Sequence, residues 1–241
     1  MKTKNKYSRV LLKLSGEALS GKKSSGIDKH VLQFLASEIA GVHALGVEIA
    51  IVIGAGNIWR GEENINLGID AASSHILGML GTIMNGVVLS SVLEKKGIHT
   101  RVMSAISVPA VSPQFIRGDA IKLLKSSHIV LCTGGTGNPF FTTDSAGALR
   151  SLELSCDVLL KGTNIDGIYD KNPKTNKSAK KYDRISYSDI LDQNLKVMDS
   201  TAVAQCRDNQ MPIIVFELLK KGNLRKVICG EKIGTEVFSE Q

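Results

Sequence analysis

The sequence predicts an α/β protein, a three-layer α/β/α sandwich around a mostly parallel central sheet. Short apolar runs alternate with stretches of helical periodicity along the 241 residues. Several of these runs are nearly continuous in apolar residues, as in strands that are covered on both faces. Neither an internal repeat nor a linker interrupts the alternation, so we expect one domain over residues 1–241.

The first strand and the first helix have clear limits in the sequence. The apolar run at 9–14 stops at Ser15-Gly16, which predicts a short strand. Apolar residues then recur at helical spacing over 28–45. Asp28 is a suitable N-cap for this helix, and Gly46 is a suitable signal for its end.

The same alternation continues to residue 216. A run rich in β-branched residues follows the first helix, and each later apolar run is separated from the next by a helical stretch. The further strands are expected at 47–53, 98–103, 129–132, 158–160 and 213–216, with helices at 73–96, 117–125, 144–154 and 200–209.

Basic residues outnumber acidic ones by 30 to 23, which gives a formal net charge of +7. The excess is confined to residues 1–9, with four basic residues and no acidic one, and to residues 171–184, with six basic residues and one acidic one. A nucleic-acid-binding protein usually carries a basic stripe on a folded face. We therefore expect a flexible basic tail at 1–8, a solvated polar loop at 171–184, and no requirement for nucleic acid.

The four cysteines form no CxxC pair, so the sequence indicates neither a zinc site nor a disulfide framework. The apolar run Val10–Leu12 is broken at once by Lys13 and is too short for a signal peptide. No apolar run approaches membrane-spanning length by this reading. We expect a soluble intracellular protein in a reducing compartment.

Three predicted strands end in turns rich in glycine and small residues: 13–16, 54–57 and 133–138. The carboxyl ends of parallel strands meet at one edge of the sheet, where ligands bind in open α/β folds. Glycine lets the backbone approach a ligand, and several free amides make an anion site. The sequence therefore predicts a ligand rich in phosphate, although the P-loop, Rossmann and protein-kinase motifs are absent.

Two lysines, Lys13 and Lys161, close apolar strands. A lysine is costly to bury, so each is expected to point out of its strand end toward an anion. Phosphoryl transfer needs positioning and cations more than covalent participation by the protein. Asp144 is expected to hold the lysines in register or to lie near a metal ion; the alternative is an ordinary helix cap with Thr142 or Thr143.

The motifs at these positions resemble those of the bacterial uridylate kinases of the amino-acid-kinase superfamily. The resemblance runs in order over residues 9–236, and its most specific part is the TGNPFFTTD stretch at 136–144. Further matching segments are KLSGEAL at 13–19, IGAGN at 53–57 with Arg60-Gly61, DVLLKGT at 157–163, DGIYD at 166–170, LKVMD at 195–199 and RKVICGE at 225–231.

The resemblance implies magnesium-dependent transfer of the γ-phosphoryl group of ATP to UMP by a cytoplasmic homohexamer, in which Lys13, Asp144 and Lys161 are catalytic. It assigns no metal ligand to the chain itself. ATP would be bound by Lys13, Leu14, Ser15, Gly16, Gly56, Arg60, Thr163, Tyr169 and Asn172. UMP would be bound by Ala55, His75, Thr136, Gly137, Asn138, Pro139, Phe140, Phe141, Thr142 and Thr143. A GTP activator would be bound by Gly21, Lys22, Lys23, Ser24, Ser25 and Gly26, and UTP would inhibit.

The sequence departs from the family pattern in three ways. His75 stands where an aspartate is expected to hold the UMP ribose, Ala71 stands where a basic residue is common, and Asp70 is a possible substitute. Asn172 replaces an aspartate near ATP. Ala55 replaces a glycine, which would be strained if its φ were positive.

Two other functions are compatible with parts of the sequence. One is a superfamily kinase that phosphorylates a carboxylate or carbamate, although the TGNPFF stretch is of the uridylate type. The other is a non-catalytic nucleotide sensor or nucleic-acid-binding protein, which the net charge suggests. The Lys22-Lys23 pair of the GTP loop has its own alternative, that of solvent-facing charge.

Overall fold

The computed structural model describes residues 5–60 and 67–239. Its main sheet contains eight strands, and a separate two-stranded sheet is formed by the sixth and seventh strands in the chain. The strands are β1 Arg9–Leu14, β2 Glu48–Ile53, β3 Thr100–Ser104, β4 Ile129–Thr133, β5 Val158–Thr163, β6 Ile168–Tyr169, β7 Lys181–Tyr182, β8 Arg184–Ser186, β9 Ile213–Glu217 and β10 Thr235–Phe238.

Helices cover both faces of the main sheet. They are α1 Gly16–Ser20, α2 Lys29–His43, α3 Ala71–Glu94, α4 Arg117–Lys125, α5 Thr143–Glu153, α6 Tyr187–Asp192, α7 Ser200–Asp208 and α8 Asn223–Ile228. One apolar core lies between the sheet and α2, α3 and α8, and a second lies between the sheet and α4 to α7. The predicted three-layer α/β/α architecture is confirmed.

The strand order of the main sheet is β3-β4-β2-β1-β5-β9-β10-β8. All neighbouring pairs are parallel except β9 and β10, so the expectation of a mostly parallel sheet is confirmed. β1 lies at the centre between β2 and β5, and Lys13 of β1 pairs in register with Lys161 of β5. The carboxyl ends of β1, β2, β4 and β5 therefore meet at one edge.

The capping residues explain where the helices start. Asp28 caps α2 by accepting from the amides of His30 and Val31, as predicted. α3 begins at residue 71 rather than 73 because Asp70 accepts from the amide of Ser73. α5 begins one residue earlier than predicted because the hydroxyl of Thr142 caps it.

Several short elements were not predicted: α1, β6, β7, β8, α6, α8 and β10. Each has between two and six residues, too few to show a clear period in the sequence. The basic segment 171–184, expected to be a polar loop, contains β7 and the start of β8. Lys181 in β7 lies 3.5 Å from the carboxylate of Asp166, so part of this charge is paired.

The predicted flexible tail at 1–8 is anchored from residue 5 onward, while its residues 1–4 lie outside the described residues. The side-chain amide of Asn5 donates to Leu45 O, the backbone amide of Lys6 donates to Ile228 O, and Tyr7 is buried. Ser8 N donates to the Asp157 carboxylate at 2.6 Å. Residues 5–8 therefore contact the folded domain.

α3 corrects another expectation. By length and composition it is long and apolar enough to cross a membrane, although no run was expected to approach that length. In the fold, 44% of its most apolar window is buried, and the buried residues include the polar Thr82 and Asn85. Its composition thus fits a helix that packs against a core.

The cysteines behave as apolar residues. Cys132, Cys156 and Cys206 are buried free thiols, and Cys229 is half-buried. Burial raises the pKa of Cys132 and of Cys206 to about 12 and raises that of Cys156 as well. These three groups therefore stay protonated and unreactive near neutral pH.

Candidate active site

Two lysines and one aspartate meet at the carboxyl edge of the central strands. Lys13 Nζ lies 2.8 Å from Asp144 Oδ1 in an ion pair, and Lys161 Nζ donates to Asp144 Oδ2 at 2.6 Å. Lys161 Nζ also donates to the carbonyl of Val197. Since parallel strands in register present corresponding side chains to the same face, β1 and β5 place both ammonium groups beside α5.

This cluster is nearly buried, with side-chain exposures of 11% for each lysine and 14% for Asp144. Burial is the largest influence on Asp144 and raises its pKa, but the charges of Lys13 and Lys161 together bring the pKa below the ordinary 3.8. Burial is also the largest influence on Lys161, and it holds the pKa below 10.5 despite the nearby Asp144 carboxylate.

The start of α5 sets the position of Asp144. Thr142 is the N-cap and accepts from the amides of Asp144 and Ser145 at 3.0 and 3.3 Å. Asp144 lies in the first turn, where a carboxylate interacts favourably with the helix dipole. Asp144 therefore pairs with both lysines, and the N-cap of α5 is Thr142 rather than Asp144.

Asp199 supports this arrangement and was not identified from the sequence. Its carboxylate accepts from the hydroxyls of Thr142 and Ser145, the latter at 2.9 Å, and from the amide of Ala202 at 2.9 Å. It thus caps α7 and joins α7 to the start of α5. Its place in the LKVMD segment was the only signal in the sequence, and that segment alone gave it no role.

The first two glycine turns lie against each other. The amide of Gly54 donates to the carbonyl of Leu14 at 2.9 Å, and Ser15 caps α1. Arg60 donates from Nε to the carbonyl of Gly56 and lies 3.3 Å from the Glu17 carboxylate through Nη2. Gly61, the other residue of this motif, lies outside the described residues.

A cavity of about 690 Å³ opens between α3, the second glycine turn (54–57) and the third glycine turn (133–138). Seven of the ten residues expected to bind UMP line it: Ala55, His75, Thr136, Asn138, Phe141, Thr142 and Thr143. Gly137, Pro139 and Phe140 do not line it. Phe140 is 69% exposed, and its ring lies 5.1 Å from that of His75, which lines the cavity.

The other nine residues of the cavity wall were not expected to bind UMP, although Gly56 was expected to bind ATP and Ala71 was noted as a departure from the family pattern. They come mainly from the first half of α3 and from the segment before it, where the sequence shows only a long apolar helix. These residues are Gly56, Trp59, Ile69, Ala71, Ser74, Gly78, Met79, Thr82 and Gly135. Trp59 Nε1 donates to Ser74 Oγ at 3.0 Å, which fixes the indole at this wall.

The residues expected around the nucleoside of ATP lie elsewhere. Thr163 ends β5 and donates to Ile165 O, and Tyr169 donates to the carboxylate of Asp166 at 2.6 Å. Asn172 is exposed and accepts from the amide of Lys174. None of these three side chains lines the 690 Å³ cavity or a smaller one of about 360 Å³ beside Asp144 and 190–203.

The expected GTP loop, residues 21–26, is exposed along its whole length. Its last residue contacts the second glycine turn: Gly26 N donates to Asn57 O at 2.7 Å, and Asn57 Nδ2 donates to Gly26 O at 3.0 Å. Lys22 and Lys23 are exposed, which is also what the alternative of solvent-facing charge requires.

The structure bears on two of the departures from the family pattern, those at residues 75 and 55. His75 lines the cavity, whereas the Asp70 carboxylate is engaged with the amide and hydroxyl of Ser73 as the cap of α3. The φ of Ala55 is not positive, so the backbone strain that a positive φ would cause at an alanine does not arise. Its Cβ fits because the facing residue of α3 is Gly81, where a second Cβ would come within 2.8 Å.

Comparison with known proteins adds independent evidence. The amino acid kinase family matches residues 8–217. A UMP kinase from Bacillus anthracis is 39% identical with a TM-score of 0.95 and covers 98% of this chain and 97% of its own. A UMP kinase from Ureaplasma parvum is 35% identical (TM-score 0.91, 96% and 99% covered), and a uridylate kinase from Archaeoglobus fulgidus is 26% identical (TM-score 0.72, 95% and 99%).

Proposed function

This chain belongs to the amino acid kinase family, and we propose that it transfers the γ-phosphoryl group of ATP to UMP, giving ADP and UDP. UDP formed in this way supplies pyrimidine nucleotide (CTP) synthesis. The two UMP kinases that are at least 35% identical over nearly the whole chain support this substrate pair.

The single observation that carries the proposal is the Lys13–Asp144–Lys161 cluster, in which Asp144 directly follows Thr142 and Thr143 of the cavity wall. Charge develops on the oxygens of the transferred phosphoryl group and of the leaving phosphate, and fixed cations stabilise it. The two ammonium groups supply such charge, and Asp144 holds both of them in place before the reaction. Because one carboxylate faces two ammonium groups, the cluster keeps a net positive charge for an anionic ligand.

The cavity is the proposed UMP site. Its volume lies within the usual range of roughly 300–1,000 Å³ for small-molecule sites. Met79 and Trp59 give it apolar surface for a base, while Thr136, Asn138 and His75 offer polar groups for phosphate and sugar. At the position where the family carries an aspartate, the imidazole of His75 takes over the hydrogen bond to the ribose.

ATP is proposed to place its phosphates along Lys13–Gly16, Gly56 and Arg60, with its nucleoside toward Thr163, Tyr169 and Asn172. Mg²⁺ binds mainly through phosphates, with one or two carboxylates and several waters. No cluster of three or more His, Cys, Asp or Glu side chains suited to a metal lies among the described residues. A magnesium ion that enters with ATP would be held mainly by the phosphates of the nucleotide and would neutralise part of their charge.

Self-association as a homohexamer is proposed from the family resemblance, together with a cytoplasmic location. The exposed face of α3 supports self-association, since Ile76, Leu80 and Met84 recur at helical spacing with exposures of 45%, 39% and 58%. Light scattering after size exclusion tests this: we expect a hexamer mass, and a monomer mass would contradict it.

Regulation by GTP and UTP is proposed on the family resemblance alone. The Gly26–Asn57 contacts give the 21–26 loop a direct connection to the second glycine turn. UMP saturation curves with and without GTP, and with UTP, test it. Unchanged curves for the wild type would contradict both effectors, and an unchanged GTP response after Lys22→Ala/Lys23→Ala would exclude these lysines from the GTP site.

A coupled assay with UMP, CMP, glutamate and carbamate as acceptors tests the reaction. We expect UMP to be the preferred acceptor. Turnover of glutamate or carbamate with none of UMP would instead favour a carboxylate or carbamate kinase. A steeply salt-sensitive affinity for duplex DNA without turnover would favour a binding protein.

A further inference from the structure

α3 contacts the second and third glycine turns through one buried face, formed by Gly81, Thr82, Asn85 and Gly86. We propose that Thr82 and Asn85 are positioning residues for phosphoryl transfer, each fixing the backbone of one glycine turn so that both turns keep a constant separation. This inference rests on the proposed function. It assigns a catalytic purpose to two polar side chains within an otherwise apolar stretch of helix.

Thr82 fixes the third turn. Its hydroxyl donates to Met79 O within its own helix at 2.7 Å and accepts from Gly134 N at 2.8 Å. The donation to Met79 orients the hydroxyl, so its lone pair faces the Gly134 amide. Gly134 has a φ of +73° and leads directly into Gly135 and Thr136 of the cavity wall.

Asn85 fixes the second turn. Its side-chain amide donates to Gly54 O and to Asn57 Oδ1, both at 2.8 Å, and Asn57 Nδ2 donates back to Asn85 Oδ1 at 3.1 Å. Asn85 and Asn57 are 0% and 1% exposed. With its carbonyl held inward by Asn85, Gly54 stays in the orientation from which its own amide donates to Leu14.

Close packing sets the distance of each glycine turn from α3, and the side chains of Thr82 and Asn85 set the orientation of the backbone in each turn. A Cβ on Gly81 would lie 2.8 Å from that of Ala55, and a Cβ on Gly86 would lie 2.5 Å from Thr133 Cγ2. The helix backbone therefore lies directly against both turns. Since residues 82 and 85 are one helical turn apart, a rigid helix segment relates the two turns to each other.

Paired substitutions at Thr82 separate the hydroxyl from the side-chain shape. Thr82→Val keeps the shape but leaves the buried Gly134 amide unpaired, whereas Thr82→Ser keeps the hydroxyl. An unpaired buried donor is costly, so the turn should lose its set conformation in the valine variant. We expect the KM for UMP to rise roughly tenfold with the valine variant, more than the KM for ATP, and to stay within about twofold of wild type with the serine variant.

Hydrogen exchange gives a second readout that needs no substrate. Thr82→Val should accelerate amide exchange at residues 133–138, and Asn85→Leu should accelerate it at residues 54–57 and at Gly26. The matched control is Asn223→Leu, because Asn223 is also buried but donates to Glu217 O in another part of the fold. It should lower stability without changing either KM or the exchange of either turn.

Equal KM values and equal exchange for Thr82→Val and wild type would overturn the proposal. So would equal losses in the valine and serine variants, which would indicate a purely structural role. If Thr82→Val does not fold, Thr82→Ala removes the same hydroxyl without strain and takes its place. If the wild type does not phosphorylate UMP, the proposed function fails, and the exchange comparison alone decides the positioning role.

Discussion

Lys13 and Lys161 lie opposite each other in register on adjacent parallel strands, and a single carboxylate, that of Asp144, holds both of their ammonium groups. Two like charges are costly to bury side by side. Asp144 compensates for only one of them, so an anion that enters between the lysines is stabilised. This arrangement is suited to a phosphoryl group in transfer.

Removal of the Lys161 charge should act on turnover. We expect Lys161→Met to lower kcat by about 10²-fold or more, because a cation that stabilises the transition state is lost. The KM for UMP should change little, since Lys161 does not line the cavity that is proposed to bind UMP. Steady-state kinetics against Lys125→Met, an exposed lysine of α4, provide the measurement and its control; an unchanged kcat would remove Lys161 from the mechanism.

Asp144→Asn tests the carboxylate with little change of shape. Two ammonium groups would remain nearly buried without the carboxylate that pairs with both of them, so we expect a loss of about 3–5 kcal/mol in the free energy of unfolding together with a large loss of kcat. Urea unfolding at neutral pH gives the first value.

The stability difference between wild type and Asp144→Asn should also depend on pH. The folded-state pKa of Asp144 is lowered, so its contribution is fully present above the ordinary pKa of 3.8 and is lost as the pH falls through the lowered value. A difference that is small at neutral pH, or that grows on acidification, would contradict the ion-pair account.

The alkaline limit of activity should reflect Lys161. Catalysis needs the protonated amine, and burial holds the Lys161 pKa below 10.5. The rate should therefore fall as the pH rises through this lowered value, before an ordinary lysine would lose its proton. In Lys161→Arg this alkaline fall in rate should move to higher pH, because arginine stays charged. A fall at the same pH in both enzymes would assign the ionisation to another group.

His75→Ala tests the UMP site. Loss of one hydrogen bond to the sugar should raise the KM for UMP roughly three- to tenfold, with little effect on the KM for ATP. His30→Ala, at an exposed histidine of α2, is the matched control. A rise in the KM for ATP alone would mean that the cavity binds the other nucleotide.

Sequence reasoning predicted the parts of this protein that depend on local patterns. The apolar runs of the strands, the Asp28 cap, the glycine turns and the lysines of β1 and β5 are all visible within a few residues. Thr82, Asn85 and Asp199 were missed because their roles depend on partners 31 to 57 residues away, such as Gly134, Gly54 and Thr142. A polar residue inside an apolar helix shows no period that would indicate which loop it contacts.

The short elements after residue 164 were missed for a related reason. β6, β7 and β8 have only two or three residues each, and tertiary pairing rather than propensity forms them. Thr235 shows this directly, since its hydroxyl joins the amide of Ile168 to the carbonyl of Tyr182 across 67 and 53 residues.

The most direct test of the proposed reaction is to follow a labelled γ-phosphoryl group from ATP with UMP as acceptor and Mg²⁺ present. We expect the label to appear as the β-phosphate of UDP in the wild type, one for each ADP formed, and far more slowly in Lys161→Met. ADP formation without labelled UDP, or label on a carboxylate acceptor while UMP is left unchanged, would contradict it.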